Sequence, residues 1–281
     1  MKSQIAQTSR GPVEYTILGS GPVILACHGT SQDCHSTQGL ELLTQAGFCL
    51  LTPSRPGYGR TPLDVGMTSA QAAEALITLL DCLNIKTCSV IAVSGGGPTG
   101  IALAASFPQR IERLVLMAAV SQPEERIHEP SYKNQMAFYG PSHGMQWGLL
   151  RLISNLSPRA MARQTMAIFS THDPDDAISR LTPEGIQAIR QFYQGHSSRE
   201  GALNDATHTV GAQLIRAITI PVLVVHSRED KSVPFTHAEF SLQNIPQARL
   251  CEAGFTGHFI HVDPEYKNIN SQMVAFLQNT H

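Results

Sequence analysis

A serine between a run of apolar residues and three glycines is the part of this sequence best suited to do chemistry. Ser94 follows residues 90–93, which favour a β-strand, and precedes residues 95–97, which are all glycine. Pro98 and the small apolar residues 101–105 come next, so the pattern predicts a buried strand, a tight turn and a closely packed helix. Glycines let neighbouring backbone approach the turn, and the first N–H groups of the helix favour negative charge there. The hydroxyl of Ser94 would therefore be exposed on a strained turn.

Two interpretations of this stretch compete. It fits the nucleophile elbow G-x-S-x-G, with Ala92 in the first glycine position and Ser94 as the nucleophile. Residues 95–100 also fit G-x-G-x-x-G, the pattern of a dinucleotide-binding turn. A dinucleotide site needs an acidic residue about 20 residues further on, after the next strand, to hold the ribose. No acidic residue directly follows the predicted strand 114–119, so the nucleophile elbow is favoured, ahead of a turn without chemistry.

A serine nucleophile needs a base to take its proton and an acidic group to orient that base. In open parallel sheets such groups lie in loops beyond the carboxyl ends of the strands. Asp230 comes a few residues after the apolar segment 222–226, which predicts a strand. Glu229 is the neighbouring competitor, and a turn cap is the alternative role for Asp230. We predict Asp230 as the acid.

Among twelve histidines, His258 has the context expected of the base. It follows a glycine in the loop after the predicted strand 248–251 and precedes the last predicted helix. His261 is the runner-up. The resulting order along the chain, Ser94, Asp230 and then His258, is the order expected of an α/β-hydrolase.

Attack on a carbonyl group produces an oxyanion, which needs hydrogen-bond donors already in place. The backbone N–H of Gly95, the residue after the nucleophile, is the first predicted donor. The second is expected in the loop after the strand 23–27, and we assign it to the backbone N–H of Thr30. His28, in the same loop, is expected to brace the loop rather than to take part in catalysis.

The elements that position these residues alternate between strand and helix up to residue 120, which predicts a parallel sheet with helices on both faces. Residues 121–218 carry helical patterns without a convincing strand, and the alternation then resumes. We therefore predict an α/β core, residues 1–120 and 219–281, with an inserted helical cap, residues 121–218. The further predicted strands are 4–8, 13–18 and 48–52, and the predicted helices are 37–46, 69–83, 131–139, 144–154, 158–169, 183–194, 202–217, 235–244 and 265–278.

The composition fits one enzyme-sized α/β domain with an insertion. The chain has 281 residues, 42% of them hydrophobic and 15% charged, with a net charge of −2. Because it has no basic stripe, nucleic acid is not an expected partner. It has neither a long apolar run nor an apolar leader, so no membrane span and no secretory signal are expected. The six cysteines lack C-x-x-C spacing and are expected to be reduced in a cytoplasmic protein, a monomer or homodimer.

Two other features have less specific interpretations. The acidic segment 171–176 lacks the spacing of a calcium loop and predicts a polar turn near a helix start, so no metal is expected there. Trp147 is the only tryptophan, and it is predicted either to line the substrate pocket or to pack in the core.

Five motifs carry a resemblance that covers nearly all of the chain. They are HGT at 28–30, SRPGYGRT at 54–61, VSGGGP at 93–98, PVLVVHSRED at 221–230 and GHF at 257–259. With these motifs the chain resembles the capped, lipase-like α/β-hydrolases. The resemblance implies a mostly parallel eight-stranded sheet, a reaction that needs no cofactor and a cap that shapes the pocket. The sequence departs from the pattern at Ala92, where the elbow has glycine; alanine is the next smallest residue, and activity is still expected.

The predicted activity is that of a serine carboxylesterase that acts on small or medium uncharged esters. Several alternatives on the same fold stay open, namely a C–C bond hydrolase of aromatic ring-fission products, a lactonase, an aminopeptidase, a cofactor-free haloperoxidase or perhydrolase, and an acyltransferase. A non-catalytic receptor for a small ligand is the alternative from another class, and a nicotinamide oxidoreductase is a more distant one.

Overall fold

The computed structural model describes residues 2–122 and 139–278 of the chain. The strands are β1 (Gln4–Thr8), β2 (Gly11–Gly19), β3 (Val23–Cys27), β4 (Cys49–Pro53), β5 (Cys88–Val93), β6 (Ile111–Met117), β7 (Val222–Ser227) and β8 (Ala248–Ala253). They form one eight-stranded sheet in the order β1-β2-β4-β3-β5-β6-β7-β8. β2 is antiparallel to β1 and β4, and all other neighbours are parallel. The predicted mostly parallel, eight-stranded sheet is confirmed.

Helices flank the sheet and fill the described chain between β6 and β7. They are α1 (Leu42–Gln45), α2 (Ser69–Cys82), α3 (Gly97–Ser106), α4 (His143–Leu156), α5 (Pro158–Phe169), α6 (Pro174–Arg180), α7 (Pro183–Gln194), α8 (Arg199–Asp205), α9 (Ala212–Arg216), α10 (Thr236–Asn244) and α11 (Tyr266–Gln278). We call residues 139–218, with α4 to α9, the helical insertion. Across the residues that the structure describes, no helix combines the length and the apolar character that a membrane crossing needs.

Apolar side chains cover both faces of the sheet. On one face, Leu76 of α2, Ile101 of α3 and Ala238 of α10 pack with side chains of β3, β5 and β7. On the other face, Leu43 of α1 and Met273 of α11 pack with the alternate side chains of the same strands. Because both faces are buried, a central strand is apolar along most of its length, and all six residues of β5 are buried. The buried sheet fixes the strand ends from which the site residues project.

The predicted helix 37–46 is wrong. Only α1 forms there, because Gln38 and Gly39 have φ values of 52° and 80° and two successive left-handed residues cannot continue a right-handed helix.

The predicted helix 69–83 forms as α2, and its first residues form a capping box. The Thr68 hydroxyl accepts the Gln71 N–H, and the Gln71 side chain accepts the Thr68 N–H.

Two further differences lie in the helical insertion. The predicted helix 202–217 is two helices, α8 and α9, because Gly211 has an extended backbone with ψ of 137° and starts a new helix. The acidic segment was predicted to lie near a helix start, and it does: the carboxylate of Asp173 accepts the N–H groups of Asp175 and Asp176 and caps α6, a helix that is missing from the predicted ones. The predicted helix 131–139 lies outside the described residues, except for Tyr139.

Candidate active site

The turn after β5 holds Ser94 in a conformation that residues with a side chain rarely adopt. Its φ is +51°, in the left-handed region. The turn is tightly surrounded, since a Cβ at Gly96 would overlap Cys27 O and a Cβ at Gly97 would overlap Val120 O. Glycine is therefore required at both positions, and the neighbouring strand ends hold the strained residue in place.

Ala92, the departure from the elbow motif, is accommodated by a glycine on the helix that follows. Its side chain is fully buried in β5, and a Cβ at Gly100 of α3 would overlap the Ala92 Cβ. The methyl group of Ala92 therefore fits between β5 and α3, but a second methyl group at position 100 would not fit. The close packing that the motif needs is kept by Gly100.

Three of the predicted residues form a continuous hydrogen-bonded row. His258 Nε2 lies 2.9 Å from Ser94 Oγ, and His258 Nδ1 lies 2.8 Å from Asp230 Oδ2. With its proton on Nδ1, the imidazole donates to Asp230 and accepts the Ser94 hydroxyl proton on Nε2. The three residues lie in the turn after β5 and the loops after β7 and β8, at the carboxyl ends of parallel strands.

The loop after β7 orients the Asp230 carboxylate. Oδ1 accepts the backbone N–H groups of Ser232 and Val233, both at 2.8 Å, which leaves Oδ2 for His258. His226 Nε2 donates to Val233 O at 2.9 Å, and burial lowers the pKa of His226. His226 is therefore a neutral side chain that braces the loop. The Asp230 carboxylate is held at Oδ1 by the two backbone N–H groups and at Oδ2 by His258.

The alternative acid and base lie outside this row. The Glu229 side chain is 39% exposed, contacts the Thr171 hydroxyl and lies 4.0 Å from His172. His261 packs beside the ring of Phe259, and burial lowers its pKa to about 4. His258 rather than His261 contacts Ser94, and Asp230 rather than Glu229 contacts His258.

The end of α5 contacts the loops that carry the acid and the base. Phe169 O accepts the N–H groups of His258 at 3.1 Å and Lys231 at 3.3 Å, and Thr171 N donates to Glu229 O at 3.0 Å. The Phe169 ring stacks on the His258 imidazole with 5.8 Å between their centroids. The helical insertion thus helps to fix both loops, by contacts for which the sequence contains no local signal.

Gly257 is the position where this packing leaves no room for a side chain. Its φ is +62°, and an added Cβ would overlap Phe169 O and lie 2.8 Å from Glu229 O. We expect Gly257→Ala to lower the free energy of unfolding by about 3 kcal/mol, because a left-handed alanine costs about 1–2 kcal/mol and the clash with fixed backbone adds to it. Urea denaturation measures this loss.

Gly47→Ala is the matched control for that variant. Gly47 has a φ of +87°, and in the described chain nothing beyond its immediate neighbours lies within 4 Å of an added Cβ. It should therefore lose only the conformational cost, about 1 kcal/mol. Equal losses in the two variants would contradict the packing argument.

The loop after β3 packs directly against the nucleophile turn. A Cβ at Gly29 would lie 3.2 Å from Ser94 Cβ, and a Cβ at Gly95 would overlap Thr30 Oγ1. The Thr30 side chain therefore lies against Gly95, and Gly29 lies against the Ser94 side chain. The two predicted oxyanion donors, the N–H groups of Thr30 and Gly95, therefore belong to residues that contact each other.

His28 lies behind this loop and is fully buried. Its Nδ1 donates to Gly29 O at 2.8 Å, and its Nε2 accepts the Arg55 backbone N–H at 3.0 Å. One neutral tautomer satisfies both bonds, and burial lowers the pKa of His28 to about 3. The side chain thus braces the loop.

A buried ion pair beside the same loop is absent from the sequence prediction. Arg55, after β4, donates from Nη1 and Nη2 to the two carboxylate oxygens of Asp205 at 2.6 and 2.7 Å. The Tyr58 hydroxyl donates to Asp205 Oδ2 at 2.7 Å. Arg55 and Tyr58 belong to the motif SRPGYGRT, which indicated a loop. Asp205 lies 150 residues from Arg55 and had no signal of its own.

A cavity of about 520 Å³ is lined by Ser94, His258, Gly95 and Thr30. Its other walls are largely apolar and come from both the core and the helical insertion. They include Met117, Val120, Trp147, Phe169, Phe192 and Tyr193. This size fits a small or medium organic molecule.

Trp147 combines the two roles that the sequence left open. It lines the cavity, and its ring lies 5.8 Å from the rings of Phe192 and Tyr193, centroid to centroid. Its indole N–H donates to Gly195 O at 3.1 Å. The polar end of the side chain is therefore bonded while its ring forms part of the wall.

A group with metal-ligand atoms lies away from the cavity. Within the described ranges, Glu14, Cys34 and His35 bring such atoms within 4.8 Å of one another. The Glu14 carboxylate already accepts bonds from Arg60 and two serines. Although burial acts to raise the pKa of Glu14, these bonds lower it to about 2, while burial raises the pKa of the Cys34 thiol to about 12. A carboxylate satisfied by protein donors and a protonated thiol are poorly suited to hold a metal.

Comparison with known proteins agrees with this geometry. Residues 22–265 match the family model described as alpha/beta hydrolase fold. The chain belongs to the α/β-hydrolase fold family. This α/β-hydrolase is 34% identical to the hydrolase YcgS of Bacillus subtilis (strain 168) over 272 residues, 96% of each chain. It is 27% identical to the 2-hydroxymuconate semialdehyde hydrolase of Pseudomonas putida over 216 residues, 74% of this chain and 68% of the relative.

A solved structure extends the likeness to the whole fold. The alpha/beta hydrolase fold protein from Nakamurella multipartita is 26% identical to this α/β-hydrolase and superposes with a TM-score of 0.84. The match covers 98% of this chain and 99% of the other. The sheet and the helical insertion therefore have a counterpart of known structure.

Proposed function

We propose that the protein is a serine hydrolase that cleaves carboxylic esters of small or medium, uncharged substrates through an acyl-enzyme. The observation that carries the proposal is the hydrogen-bonded row from Ser94 through His258 to Asp230, which opens into the largely apolar cavity. Hydrolysis in general follows from membership of the family. The ester as substrate is the finer part of the proposal.

In this mechanism, His258 Nε2 takes the proton of the Ser94 hydroxyl as Oγ attacks the carbonyl carbon. The tetrahedral oxyanion accepts the backbone N–H groups of Thr30 and Gly95. His258 then gives its proton to the leaving alcohol, and the acyl group stays on Ser94. Water activated by His258 releases the acid in a second tetrahedral step. Asp230 keeps the imidazole in the required tautomer and stabilises its protonated form.

The walls of the cavity favour an uncharged substrate. Among the lining residues that the structure describes, Asp205 and Lys231 are the acidic and basic ones. Asp205 is paired with Arg55, and Lys231 is exposed with its Nζ bonded to Ala167 O at 3.0 Å. The remaining wall offers aromatic and aliphatic groups. The helical insertion supplies most of these, which supports a role as the cap over residues 1–120 and 219–281.

A second candidate is hydrolysis of a C–C bond in a carboxylated substrate. One curated relative is named for its action on 2-hydroxymuconate semialdehyde, and Lys231 is the feature of the cavity that favours an acidic group. The two candidates differ in a measurable way. A neutral ester and the same ester with a terminal carboxylate should be hydrolysed with kcat/KM in favour of the neutral one. A preference for the carboxylated ester that disappears in Lys231→Gln would show that Lys231 binds an acidic group, as the second candidate requires.

The test of the proposed function combines a covalent probe with a substrate series. A fluorophosphonate should label the protein, and peptide mass spectrometry should place the label on Ser94. The purified protein should hydrolyse p-nitrophenyl esters from acetate to laurate, with its optimum among the shorter chains. Labelling without turnover of any ester would contradict the proposal that the substrate is an ester. The protein would then be a serine hydrolase that cleaves another kind of bond. A protein that is neither labelled nor active would contradict the whole proposal and favour a receptor.

A further inference from the structure

A carboxylate of the helical insertion reaches the loop that carries the proposed oxyanion donor. Asp205, the last residue of α8, accepts the Thr30 hydroxyl at Oδ2 with 2.8 Å between the oxygens. The same carboxylate accepts both guanidinium N–H bonds of Arg55 and the Tyr58 hydroxyl. Its side chain is 6% exposed. The contact between Asp205 and Thr30 joins residues that are 175 positions apart.

The carboxylate also lies beside the turn that carries the nucleophile. A Cβ built on Gly95 would overlap Thr30 Oγ1 and lie 3.0 Å from Asp205 Oδ2. The Thr30 hydroxyl is therefore held between Asp205 and the backbone of Gly95. In this position it limits how far the Thr30 backbone can move toward or away from Ser94.

Arg55 extends this control to the start of the loop. Its Nε donates to His28 O at 2.8 Å, and its backbone N–H donates to His28 Nε2 at 3.0 Å. Asp205 thus fixes the loop twice, directly at Thr30 and through Arg55 at His28. Residues 28–30 have little freedom to change the direction of the Thr30 N–H.

The negative charge of Asp205 is balanced within the cluster by the positive charge of Arg55. Although burial acts to raise the pKa of Asp205, the Arg55 guanidinium holds it below its usual range. Burial and the charge of Asp205 raise the pKa of Tyr58 well above its ordinary value, so Tyr58 stays a neutral donor. An unpaired carboxylate this close to Gly95 would oppose a developing oxyanion. Paired with Arg55, it positions the loop without that penalty.

We propose that Asp205 is a positioning residue that holds the Thr30 backbone N–H at the place where the oxyanion forms. The inference rests on the proposed function, because it assigns the support of that reaction's oxyanion hole to the helical insertion. Its effect is on the transition state, since the Thr30 N–H is needed most when negative charge develops. An ion pair that merely attached the insertion to the core would affect stability and leave kcat unchanged.

The test changes Thr30 rather than Asp205. Replacing Asp205 would leave the buried Arg55 without its partner, and the free-energy cost of that unpaired charge is large enough to unfold the protein. Thr30→Val keeps the shape of the side chain and the backbone N–H and removes only the hydroxyl that binds Asp205. We expect kcat for a p-nitrophenyl ester to fall about 30-fold, within the range that a displaced catalytic group costs. KM should change less than twofold, and Thr30→Ser should restore most of the lost kcat.

Tyr58→Phe is the matched control, since it also removes one hydroxyl donor to Asp205 Oδ2 and keeps the ring that packs against His28 with 5.0 Å between their centroids. It should lower kcat less than threefold. The affinity for a trifluoromethyl ketone, whose adduct mimics the tetrahedral oxyanion, should fall in Thr30→Val by the same factor as kcat/KM. A similar loss of melting temperature in both variants with unchanged kcat would overturn the inference. A wild-type protein that is neither labelled nor active would instead overturn the proposed function, and the inference with it.

Discussion

Ser94→Ala is expected to lower kcat for p-nitrophenyl ester hydrolysis by about 10⁶-fold, the loss typical of a serine nucleophile removed from a hydrogen-bonded triad. His258 Nε2 accepts the Ser94 hydroxyl at 2.9 Å, so the change removes both the attacking oxygen and the proton that the imidazole takes. Residual activity comes only from the oxyanion donors and from binding. Steady-state kinetics with the best ester of the series measures the loss, and fluorophosphonate labelling should disappear with it.

The fold should survive this change, because alanine and serine have similar costs at the φ of +51° that residue 94 adopts. Thermal unfolding of the variant should therefore differ from that of the wild type by no more than a few degrees. Ser89→Ala is the matched control, since it removes a serine hydroxyl from the same strand, about 16 Å before the turn. It should keep full activity. A Ser94→Ala variant as active as Ser89→Ala would show that another residue, or another protein in the preparation, is the nucleophile.

The parts of the site that the sequence predicts are those with a local pattern. Ser94 stands in a strand–glycine–helix segment, and Asp230 and His258 follow apolar strands within a few residues. The parallel sheet brings the ends of such strands to one edge, so positions far apart in the chain could be expected to meet. Local patterns of the same kind predicted the parallel sheet with helices on both faces.

Contacts between distant segments account for what the sequence did not predict. Asp205 ends a helix that the sequence merged with the next one, and its partners are loop residues 147 to 175 positions away. Phe169 bonds the base and acid loops through its backbone oxygen, an atom that every residue has. Neither position differs in type or spacing from an ordinary residue of a helical segment. Only the packing of the helical insertion on the core gives them their roles.

The error at residues 37–46 has a different cause. The apolar residues there recur at helical spacing, but the left-handed backbone of Gln38 and Gly39 interrupts the helix. A Cβ at Gly39 would come within 2.9 Å of His261 Cβ, so this bend lies against the loop that contains the runner-up histidine. Tertiary packing overrides the local preference at that point.

Asp230→Asn is the second variant for which a large effect is expected, a fall in kcat of about 10⁴-fold. Oδ1 of Asp230 accepts two backbone N–H groups, from Ser232 and Val233. In the variant the amide oxygen has to keep these two donors, so the amide NH₂ takes the place of Oδ2 and faces His258 Nδ1. The imidazole must then accept on Nδ1 and carry its proton on Nε2. In that tautomer it cannot take the proton of Ser94.

The two backbone N–H groups keep the amide at position 230 from rotating by 180°, which would turn its oxygen toward His258 Nδ1. In an open loop the amide could rotate in this way, and the loss of kcat would be smaller. KM should change little, because Asp230 lines none of the described cavity wall. Glu229→Gln is the matched control: it neutralises the neighbouring acid, whose side chain contacts Thr171, and should lower kcat less than twofold. Comparable kinetics in the two amide variants would contradict the assignment of Asp230. A loss confined to Glu229→Gln would make Glu229 the acid, with a loop after β7 arranged differently during the reaction.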